Sequence, residues 1–588
     1  MVTLPQKFFQ ISTKHPKKDF LVAKKDGKWR SIAFKQAGNF IKFFACGLRE
    51  IGLAKGDRVA ILSANRPVWP IVDLGIMSAG GISVPIHTTL SQAKIEYILK
   101  DSESRFLFVA GQENFDKILS IKNKTKTLLK TVYLDAFLSE VGEAESFDQL
   151  LNLGYESKAE LDIDKHVSKE IASIVYTSGT TGEPKGVMLS HENFLTNAIS
   201  AIRAVSIKSS DTFLSFLPLS HVLERTAGYY VPMSVGATIN YAENVKKLAD
   251  NLKEVKPTVL VCVPRIFEKV YEKIIDKTKH EKGLKKKLFF SALKTQSEIH
   301  HARREGRSIS PVLKIKAKAL DKLVCSKVRQ ALGGHLRFAV SGGSSLNKKI
   351  ARFFEDLGIN IIEGYGLTET SPIITVNHLD KYEFGTVGLP LKEVQLKISA
   401  DKEILVRGPN VMSGYWKNPQ ATAEVLTPEG WFSTGDLGFL DEYGFLSIIG
   451  RKKEIIITSG GKNVSPEPVE NALQLSKYIS QAMIIGNNRR FVSALIVPDF
   501  EKLKDFIKEK KLDKFELVKN NVLINLIEHE VSQQLKDLPE FEKVKKFVLL
   551  DCEFTQEAEE LTPTFKLRRA IIESKHKKGI EAMYAEDS

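Results

Sequence analysis

The stretch YTSGTTGEPKG, from Tyr176 to Gly186, concentrates residue types that can bind an anion. Glycines allow backbone N–H groups to approach an anion closely, hydroxyl side chains donate to phosphate oxygens, and a lysine adds a mobile positive charge. We therefore predict a phosphate-binding loop. Its candidate ligands are Thr177, Ser178, Gly179, Thr180, Thr181, Gly182 and Lys185.

Two flanking segments would position this loop. The apolar run ASIVYTSG from Ala172 is typical of a buried strand, and VMLSHENFLTNAISAI from Val187 has the pattern of an amphipathic helix. The loop is thus expected where a strand ends and a helix begins, a common place for phosphate binding. It does not match the Walker loop, because Lys185 is followed by Gly186 instead of Ser or Thr.

Short apolar runs of the same kind recur along the chain, between stretches of helical pattern. They are rich in β-branched and aromatic residues and mostly end at Gly, Ser or Pro, which is typical of buried parallel strands joined by helices. The sequence therefore predicts an α/β fold. The other runs are VAILSA at Val59, FLFVAG at Phe106, TVLVCVP at Thr258 and LRFAVSGG at Leu336.

The composition is that of a large, folded protein, and a substantial enzyme fits it. A chain of 588 residues is expected to form two or more domains, and 43% hydrophobic with 27% charged residues exclude a disordered or collagen-like chain. The formal net charge of +15 favours contact with anions. Nucleic acid, an acidic membrane surface and a polyanionic substrate all satisfy that charge.

The cysteines and the N-terminus indicate where the protein works. Cys46, Cys262, Cys325 and Cys552 are scattered and form no CxxC pair, so neither a disulfide framework nor a zinc site is indicated. We find neither a signal-peptide core nor an apolar run of transmembrane length. A cytoplasmic protein is expected.

Two regions depart from the α/β pattern. From about 271 to 327 the sequence is helical and rich in Lys and Arg, which fits a solvated helical face or, alternatively, a platform on anionic lipid. After Gly450 a basic, glycine-bearing junction, GRKKEIIITSGGKNVSP, leads into a smaller αβ segment, and such a junction is typical of a hinge. We therefore expect domains at 1–450 and 451–588.

The phosphate loop is followed by further motifs in a fixed order, and together they resemble the adenylate-forming (AMP-binding) superfamily, in its long-chain fatty acyl-CoA synthetase branch. The resemblance covers nearly the whole chain. It implies a large N-terminal domain with β-sheets flanked by helices and a small, mobile α+β C-terminal domain. The motifs are LPLSHVLERTAGYY from Leu217, EGYGLTETSP from Glu363, STGD from Ser433, the junction from Gly450, and ELTPTFKLRR from Glu560.

The resemblance also implies a chemistry. A carboxylate is a poor electrophile, so these enzymes attack the α-phosphate of ATP with it and form an acyl-adenylate, from which AMP can leave. Because two anions must meet, positioned cations and hydrogen-bond donors supply most of the acceleration. ATP, Mg²⁺ and coenzyme A as the acyl acceptor are the implied cofactors.

The resemblance assigns roles to the nucleotide-binding residues. Thr180 and Lys185 belong to the loop at the β- and γ-phosphates. Glu369 would hold Mg²⁺, with Thr180, and Thr368 would lie at the α-phosphate. Asp436 would accept hydrogen bonds from the ribose hydroxyls. The remaining assignments are Gly364, Tyr365 and Gly366 at the adenine, and Arg451 at the ribose or phosphate.

Three further residues follow from the same motifs. Lys566 would bridge the carboxylate and the α-phosphate, although Phe565 stands before it where the family often has glycine. Lys453 falls at the family's hinge position. His221 lies where the family has its acyl-binding wall, and either a direct or a structural role fits it.

The segments expected to line the acyl pocket, such as GYYVPMSVGATI from Gly228, are apolar or small and favour a fatty chain. Tyr229 and Tyr230 within it could gate a tunnel, but core aromatics are the simpler interpretation. The predicted activity is long-chain fatty acid–CoA ligation. Alternatives are an acyl-acyl carrier protein synthetase and an idle adenylate- or lipid-binding homologue. An anionic membrane is a possible further contact, and no nucleic-acid-binding module is recognised.

Overall fold

The computed structural model describes residues 1–135, 145–177, 183–510, 512–513, 517–562 and 566–585. It has an α/β fold with a large N-terminal part and a smaller C-terminal part. The division at Gly450 remains a prediction. The α-helices are Leu4–Lys14, Phe34–Glu50, Val68–Ser78, Gln92–Asp101, Gln112–Leu119, Phe147–Glu156, His191–Val205, Val231–Val235, Leu248–Val255, Pro264–His280, Leu284–Arg304, Pro311–Leu320, Ser326–Ala331, Lys348–Asp356, Pro419–Val425, Pro466–Leu473, Phe500–Glu509, Asn521–Gln534, Arg569–Lys575 and Lys577–Ala585.

An eight-stranded sheet forms one half of the large part. Its central strands pair in parallel, as the buried apolar runs predict, with Arg58–Leu62 between Ile82–Ile86 and Phe106–Val109. These strands are buried on both faces by flanking helices. The spatial order is Gly414–Tyr415, Lys185–Ser190, Ile171–Thr177, Ile82–Ile86, Arg58–Leu62, Phe106–Val109, Lys130–Tyr133 and Glu145–Ser146.

A nine-stranded sheet forms the other half. The predicted strands at Thr258 and Leu336 are confirmed as Val259–Cys262 and Phe338–Ser341, which pair in parallel. The order is Leu389–Pro390, Ile373–Val376, Ile361–Gly366, Phe338–Ser341, Val259–Cys262, Thr212–Ser215, Thr238–Tyr241, Asp19–Lys25 and Lys28–Ala33.

The prediction that a helix begins at Val187 is wrong. Lys185–Ser190 is a strand that pairs antiparallel with Ile171–Thr177, so the phosphate loop closes a hairpin. The helix begins at His191, where the side chains of Ser190 and Asn193 each accept a backbone N–H of the other, at 3.1 and 2.7 Å. This reciprocal cap fixes the helix start four residues later than the apolar pattern indicates.

Three smaller sheets complete the fold. A four-stranded antiparallel sheet contains Gln395–Ile398, Glu403–Arg407, Phe432–Leu440 and Leu446–Arg451 in spatial order. The C-terminal part has a two-stranded hairpin, Ile456–Ile457 with Asn463–Val464, and a three-stranded sheet of Ile479–Ile485, Ser493–Pro498 and Lys546–Leu549. This sheet is packed on both faces by its own apolar clusters.

Polar contacts hold the two parts together. Lys94 pairs with Glu559 at 2.8 Å, Lys502 pairs with Asp276 at 2.5 Å, and the backbone N–H of Ser345 reaches a carboxylate of the C-terminal part at 3.4 Å. Leu475 of the C-terminal part adds an apolar contact, because it packs against a buried cluster of the large part. Within the described residues, no helix is long and apolar enough to cross a bilayer.

Candidate active site

The strand Ile361–Gly366, third in the order of the nine-stranded sheet, carries the first group of predicted site residues at its C-terminal end. Beyond it the chain turns sharply through a short 3-10 segment, Thr368–Thr370. The turn requires glycine at 366, because a Cβ there would lie 1.7 Å from the carbonyl oxygen of Pro372. Gly366 thus fixes the place of Thr368 and Glu369.

Tyr365, Asp436 and Arg451 are joined by a hydrogen bond and an ion pair, although their motifs are far apart in the sequence. Asp436 and Arg451 are cross-strand partners in the four-stranded sheet, with Arg451 Nε 3.1 Å from Asp436 Oδ1. The Tyr365 hydroxyl donates to Asp436 Oδ2 at 2.7 Å. Burial, followed by the Asp436 charge, raises the pKa of Tyr365 well above its usual value, so the phenol remains a donor.

Glu369 and Lys185 meet at a residue that the sequence analysis missed. Tyr415 donates its hydroxyl proton to Glu369 Oε1 at 2.8 Å, and Lys185 Nζ lies 5.0 Å from the centre of the Tyr415 ring. Tyr415 belongs to the edge strand Gly414–Tyr415, which pairs with Lys185–Ser190. None of the recognised motifs includes this position, so no sequence signal pointed to it.

The phosphate loop is described only at its ends. Thr177 and Lys185 face each other in the hairpin, and Thr177 Oγ1 is 3.5 Å from the Lys185 carbonyl oxygen. Lys185 is exposed. The other predicted loop ligands, Ser178, Gly179, Thr180, Thr181 and Gly182, lie outside the described residues.

The C-terminal part supplies Lys566. A small hairpin holds this residue, in which Thr562 N–H donates to the Lys566 carbonyl oxygen at 2.8 Å and Lys566 N–H donates to Thr562 Oγ1 at 3.0 Å. Phe565 lies outside the described residues. Lys566 retains solvent access, and it interacts electrostatically with Asp436 and Arg451 of the large part.

The surroundings of Lys566 favour its role at a developing negative charge. The pKa of its ammonium is lowered by the loss of hydration and by the positive charge of Arg451. The carboxylates of Glu467, Asp436 and Glu454 oppose that change. Arg451 is itself desolvated, yet Asp436 and Glu454 raise its pKa. Two cations therefore share one acidic crevice, where an incoming phosphate would relieve their repulsion.

His221 lies beside a second histidine that the sequence analysis missed. The ring centres of His87 and His221 are 6.2 Å apart, and His87 Nδ1 is 2.8 Å from Ser220 Oγ. Burial lowers the pKa of His221 to about 3 and that of His87 to about 4, so both are neutral at physiological pH. His221 Nδ1 accepts the Leu223 N–H at 3.3 Å, which leaves Nε2–H as the free donor.

The chain directly after His221 is a π-helical segment, Glu224–Tyr230, anchored by a buried ion pair. Arg225 pairs with Asp73, and the Tyr230 hydroxyl donates to Asp73 Oδ2 at 2.8 Å. Tyr229 and Tyr230 are fully buried, which confirms them as core aromatics. Removing one partner of such a pair typically costs about 3–5 kcal/mol, so the segment is firmly placed.

Glu224 is the unusual member of this segment. The residue is 1% exposed, and its carboxyl oxygens lack a hydrogen bond of ordinary geometry among the described residues, although the nearby Ser215 hydroxyl partly opposes the rise of its pKa. A Cβ at Gly228 would lie 2.3 Å from Glu224 Oε1, so glycine makes room for the carboxyl group. Burial raises the pKa of Glu224 to about 8, which keeps it protonated at neutral pH.

Lys453, the predicted hinge residue, is exposed in the 3-10 turn Lys452–Glu454. Its neighbour Lys452 binds Asp401 at 2.5 Å and Glu403 at 2.9 Å, which ties the start of the turn to the four-stranded sheet. The turn therefore has one fixed end and one exposed lysine. Its role as a hinge remains a prediction.

Glu369 is the carboxylate expected to bind a divalent cation. No group of three or more His, Cys, Asp or Glu side chains able to hold a metal is found in the described part of the chain. Glu369 nevertheless offers a hard carboxylate oxygen, because only Oε1 is engaged by Tyr415. Mg²⁺ commonly takes one or two protein carboxylates and completes its shell with substrate phosphates and water, so the donor set fits it.

Comparison with known families places the site in context. The sequence profile described as AMP-binding enzyme matches residues 8–416, and that of the AMP-binding enzyme C-terminal domain matches residues 453–588.

Curated relatives match over nearly their full length. The long-chain-fatty-acid–CoA ligase FadD15 of Mycobacterium bovis is 38% identical over 95% of this chain and 93% of its own. The long-chain-fatty-acid–CoA ligase ACSBG2 of Homo sapiens is 32% identical over 99% of this chain and 92% of its own.

Solved structures share the fold. The anthranilate CoA ligase AuaEII in complex with anthranoyl-AMP has a TM-score of 0.73 at 21% identity, covering 97% of this chain and 96% of its own. The A domain of carboxylic acid reductase from Segniliparus rugosus has a TM-score of 0.77 at 19% identity, covering 100% of this chain and 95% of its own.

Proposed function

Since this chain belongs to the AMP-binding enzyme family, we propose that it joins a long-chain fatty acid to coenzyme A at the expense of ATP. The observation that carries the proposal is the convergence of Glu369, Asp436, Arg451 and Lys566, from four separate motifs, on one crevice. The names of the relatives support the choice of acid and acceptor.

In the first step a fatty carboxylate oxygen attacks the α-phosphate of ATP. A new O–P bond forms. The bond between the α-phosphorus and the oxygen that bridges to the β-phosphate breaks, and pyrophosphate leaves. Lys566 and Arg451 stabilise the charge that accumulates on the α-phosphate, and Lys185 with the phosphate loop binds the departing phosphates. Glu369 and Thr180 would hold Mg²⁺, which supplies Lewis-acid neutralisation of phosphate charge when bound.

In the second step the coenzyme A thiol attacks the acyl carbonyl and releases its proton to water, a C–S bond forms, and AMP leaves with the electrons of the C–O bond. Lys566 is not needed for this step, because the negative charge that it stabilises arises in the first one. We propose that residues 451–588 rotate about Lys453 between the two steps, as lids do in other enzymes. The neutral His221 offers its Nε2–H to the carbonyl oxygen or positions the acyl chain.

Coenzyme A is the proposed acceptor, and acyl carrier protein is the alternative that shares the same adenylation site. A homologue that only binds adenylate would not need a lysine beside the Asp436–Arg451 pair. Pyrophosphate release from ATP, Mg²⁺ and palmitate, run with coenzyme A and in parallel with acyl carrier protein, tests the proposal. We expect turnover and palmitoyl-CoA with coenzyme A; turnover with carrier protein alone would contradict it.

A further inference from the structure

The segment between residues 279 and 327 accounts for most of the net positive charge of the protein. This segment contains fourteen lysines and arginines against four acidic residues, and so accounts for ten of the chain's fifteen net positive charges. It forms the helix Leu284–Arg304 and an antiparallel partner that runs from Pro311 to Ala331, with Gln296 Nε2 donating to the Ala317 carbonyl oxygen. None of the residues of the active site lies in it.

The second helix presents an apolar stripe to solvent. Val312, Ile315 and Leu323 are 77%, 72% and 54% exposed, and the exposed Ala319 lies between them. Spacings of three and four residues put these side chains on one helix face. The opposite face is packed inward through Ala317, Leu320 and Cys325, so the stripe is not the face that holds the helix to the protein.

Lysines border the stripe. In the α-helical part Lys316 falls on one side of the stripe and Lys318 on the other, and Lys322 and Lys327 lie within and just after the wider, π-helical turn Asp321–Cys325. None of the four forms an ion pair with a described acidic side chain, and nearby Asp321 is bound to Arg329 at 2.7 Å. We call these four lysines with Val312, Ile315, Ala319 and Leu323 the basic ridge.

The neighbouring helix extends the same chemistry. Leu284 is 70% exposed and Phe290 is 44% exposed, and Lys285, Lys286 and Lys287 lie between them. Because the two helices are antiparallel, the Leu284 end lies beside the Leu323 end of the basic ridge. Apolar and cationic side chains therefore share one end of the helix pair.

We propose that the basic ridge docks the protein on a bilayer that contains anionic lipid. Exposed aliphatic side chains flanked by lysines match the acyl boundary and the phosphate headgroups of such a surface. Nucleic acid would match the lysines but leave the aliphatic stripe in water. The proposal rests on the proposed function only for the use of the docking. A fatty acid dissolved in the membrane would be bound there by the enzyme that consumes it.

Co-sedimentation with vesicles tests the docking without ATP or coenzyme A. The full chain is mixed with vesicles of phosphatidylcholine alone or of phosphatidylcholine with phosphatidylglycerol. We expect binding to the anionic vesicles that weakens as salt is raised. Wild-type protein that stays in the supernatant with anionic vesicles would overturn the proposal.

Two triple variants locate the contact. K316Q/K318Q/K322Q removes charge, and V312S/I315S/L323S removes the stripe. The matched controls are K28Q/K35Q/K169Q and V167S/V245S, which change exposed side chains elsewhere. The lysine triple should lower the vesicle partition coefficient by about tenfold or more, since a lysine near an anionic surface contributes roughly fivefold. The aliphatic triple should also lower it, because it removes the apolar area that would enter the bilayer. Equal losses in the controls would contradict the assignment.

Activity separates this proposal from the proposed function. With palmitate carried on albumin, the ridge variants should release pyrophosphate at the wild-type rate, whereas with palmitate in anionic vesicles their rate should fall. Wild type that is inactive with both sources but binds vesicles would contradict the function and leave the docking intact. Loss of binding to an acidic carrier protein in the ridge variants, with vesicle binding unchanged, would assign the ridge to a protein and overturn the proposal.

Discussion

Asp436 shows how a single side chain organises the nucleotide site. Its two oxygens are engaged by Tyr365 and Arg451, at 2.7 and 3.1 Å. The STGD motif predicts the residue, but its partners come from other motifs and could be matched only by the fold. Asp436 lies in the four-stranded sheet and Tyr365 in the nine-stranded one, so tertiary structure brings them together.

Asp436→Ala is expected to weaken ATP binding. Loss of charge-assisted hydrogen bonds to the ribose should raise the KM for ATP by about tenfold to a hundredfold. The control is Asp380→Ala, an exposed acid away from the crevice. An unchanged KM for ATP in pyrophosphate release would remove Asp436 from the ribose site.

Tyr415→Phe tests the contact that the sequence did not reveal. The variant removes the hydrogen bond to Glu369 Oε1 and frees the carboxylate to turn away. We expect a several-fold higher Mg²⁺ concentration for half-maximal pyrophosphate release, since a positioned ligand binds more tightly. Tyr443→Phe, which changes an exposed ring, is the control. The same Mg²⁺ dependence in both variants would separate Tyr415 from the metal.

Glu224 should make stability depend on pH. Its pKa in the folded protein is about 8, above the usual value of 4.5, so the folded state binds a proton that the unfolded state has lost between these values. The contribution of this proton to the free energy of unfolding is complete below about pH 4.5. It is lost as pH rises through 8, at up to about 1.4 kcal/mol per pH unit.

Glu224→Gln keeps the shape and removes this titration. Between pH 5.5 and pH 7.5, the Tm of the wild type should fall relative to that of the variant. Thermal unfolding of both proteins in matched buffers measures the difference. Parallel Tm curves over this range would show that Glu224 does not titrate as its burial implies.

Among the elements, the five apolar runs predict five central strands of the two large sheets, but not the other strands and not the hairpin that frames the phosphate loop. The apolar spacing from Val187 predicts a helix. In the structure, Lys185–Ser190 is a strand that pairs with Ile171–Thr177. Short apolar runs are ambiguous between strand and helix, and here the neighbouring strand decides. The cap formed by Ser190 and Asn193 is the local signal that marks the true helix start.

Gly366→Ala tests whether the turn after Ile361–Gly366 positions Thr368 and Glu369. The added Cβ would meet the Pro372 carbonyl oxygen at 1.7 Å, so the turn must move. We expect adenylation to fall by at least about a hundredfold, since small displacements of catalytic groups are costly. Gly460→Ala, where a Cβ meets nothing within 4 Å, is the control. Adenylation near the wild-type rate in Gly366→Ala would show that the turn tolerates movement.

In the whole molecule, the proposed adenylation requires the C-terminal part to bring Lys566 to the nucleotide site of the large part. Lys566 interacts electrostatically with Asp436 and Arg451, and polar contacts such as Lys94–Glu559 hold that arrangement. The order of the motifs predicts which residues take part. It does not predict the orientation of the two parts, because contacts such as Lys94–Glu559 and Lys502–Asp276 involve side chains outside every motif.

The most direct test is the effect of Lys566→Ala on the two half-reactions. Palmitate-dependent pyrophosphate release without coenzyme A measures adenylation, and conversion of supplied palmitoyl-AMP by coenzyme A measures thiolysis. Lys578→Ala, an exposed lysine nearby in sequence, is the control. We predict that Lys566→Ala lowers adenylation by at least about a hundredfold, as expected for loss of a cation at the developing charge, and leaves thiolysis near the wild-type rate. Equal loss of both half-reactions would contradict the role assigned to Lys566.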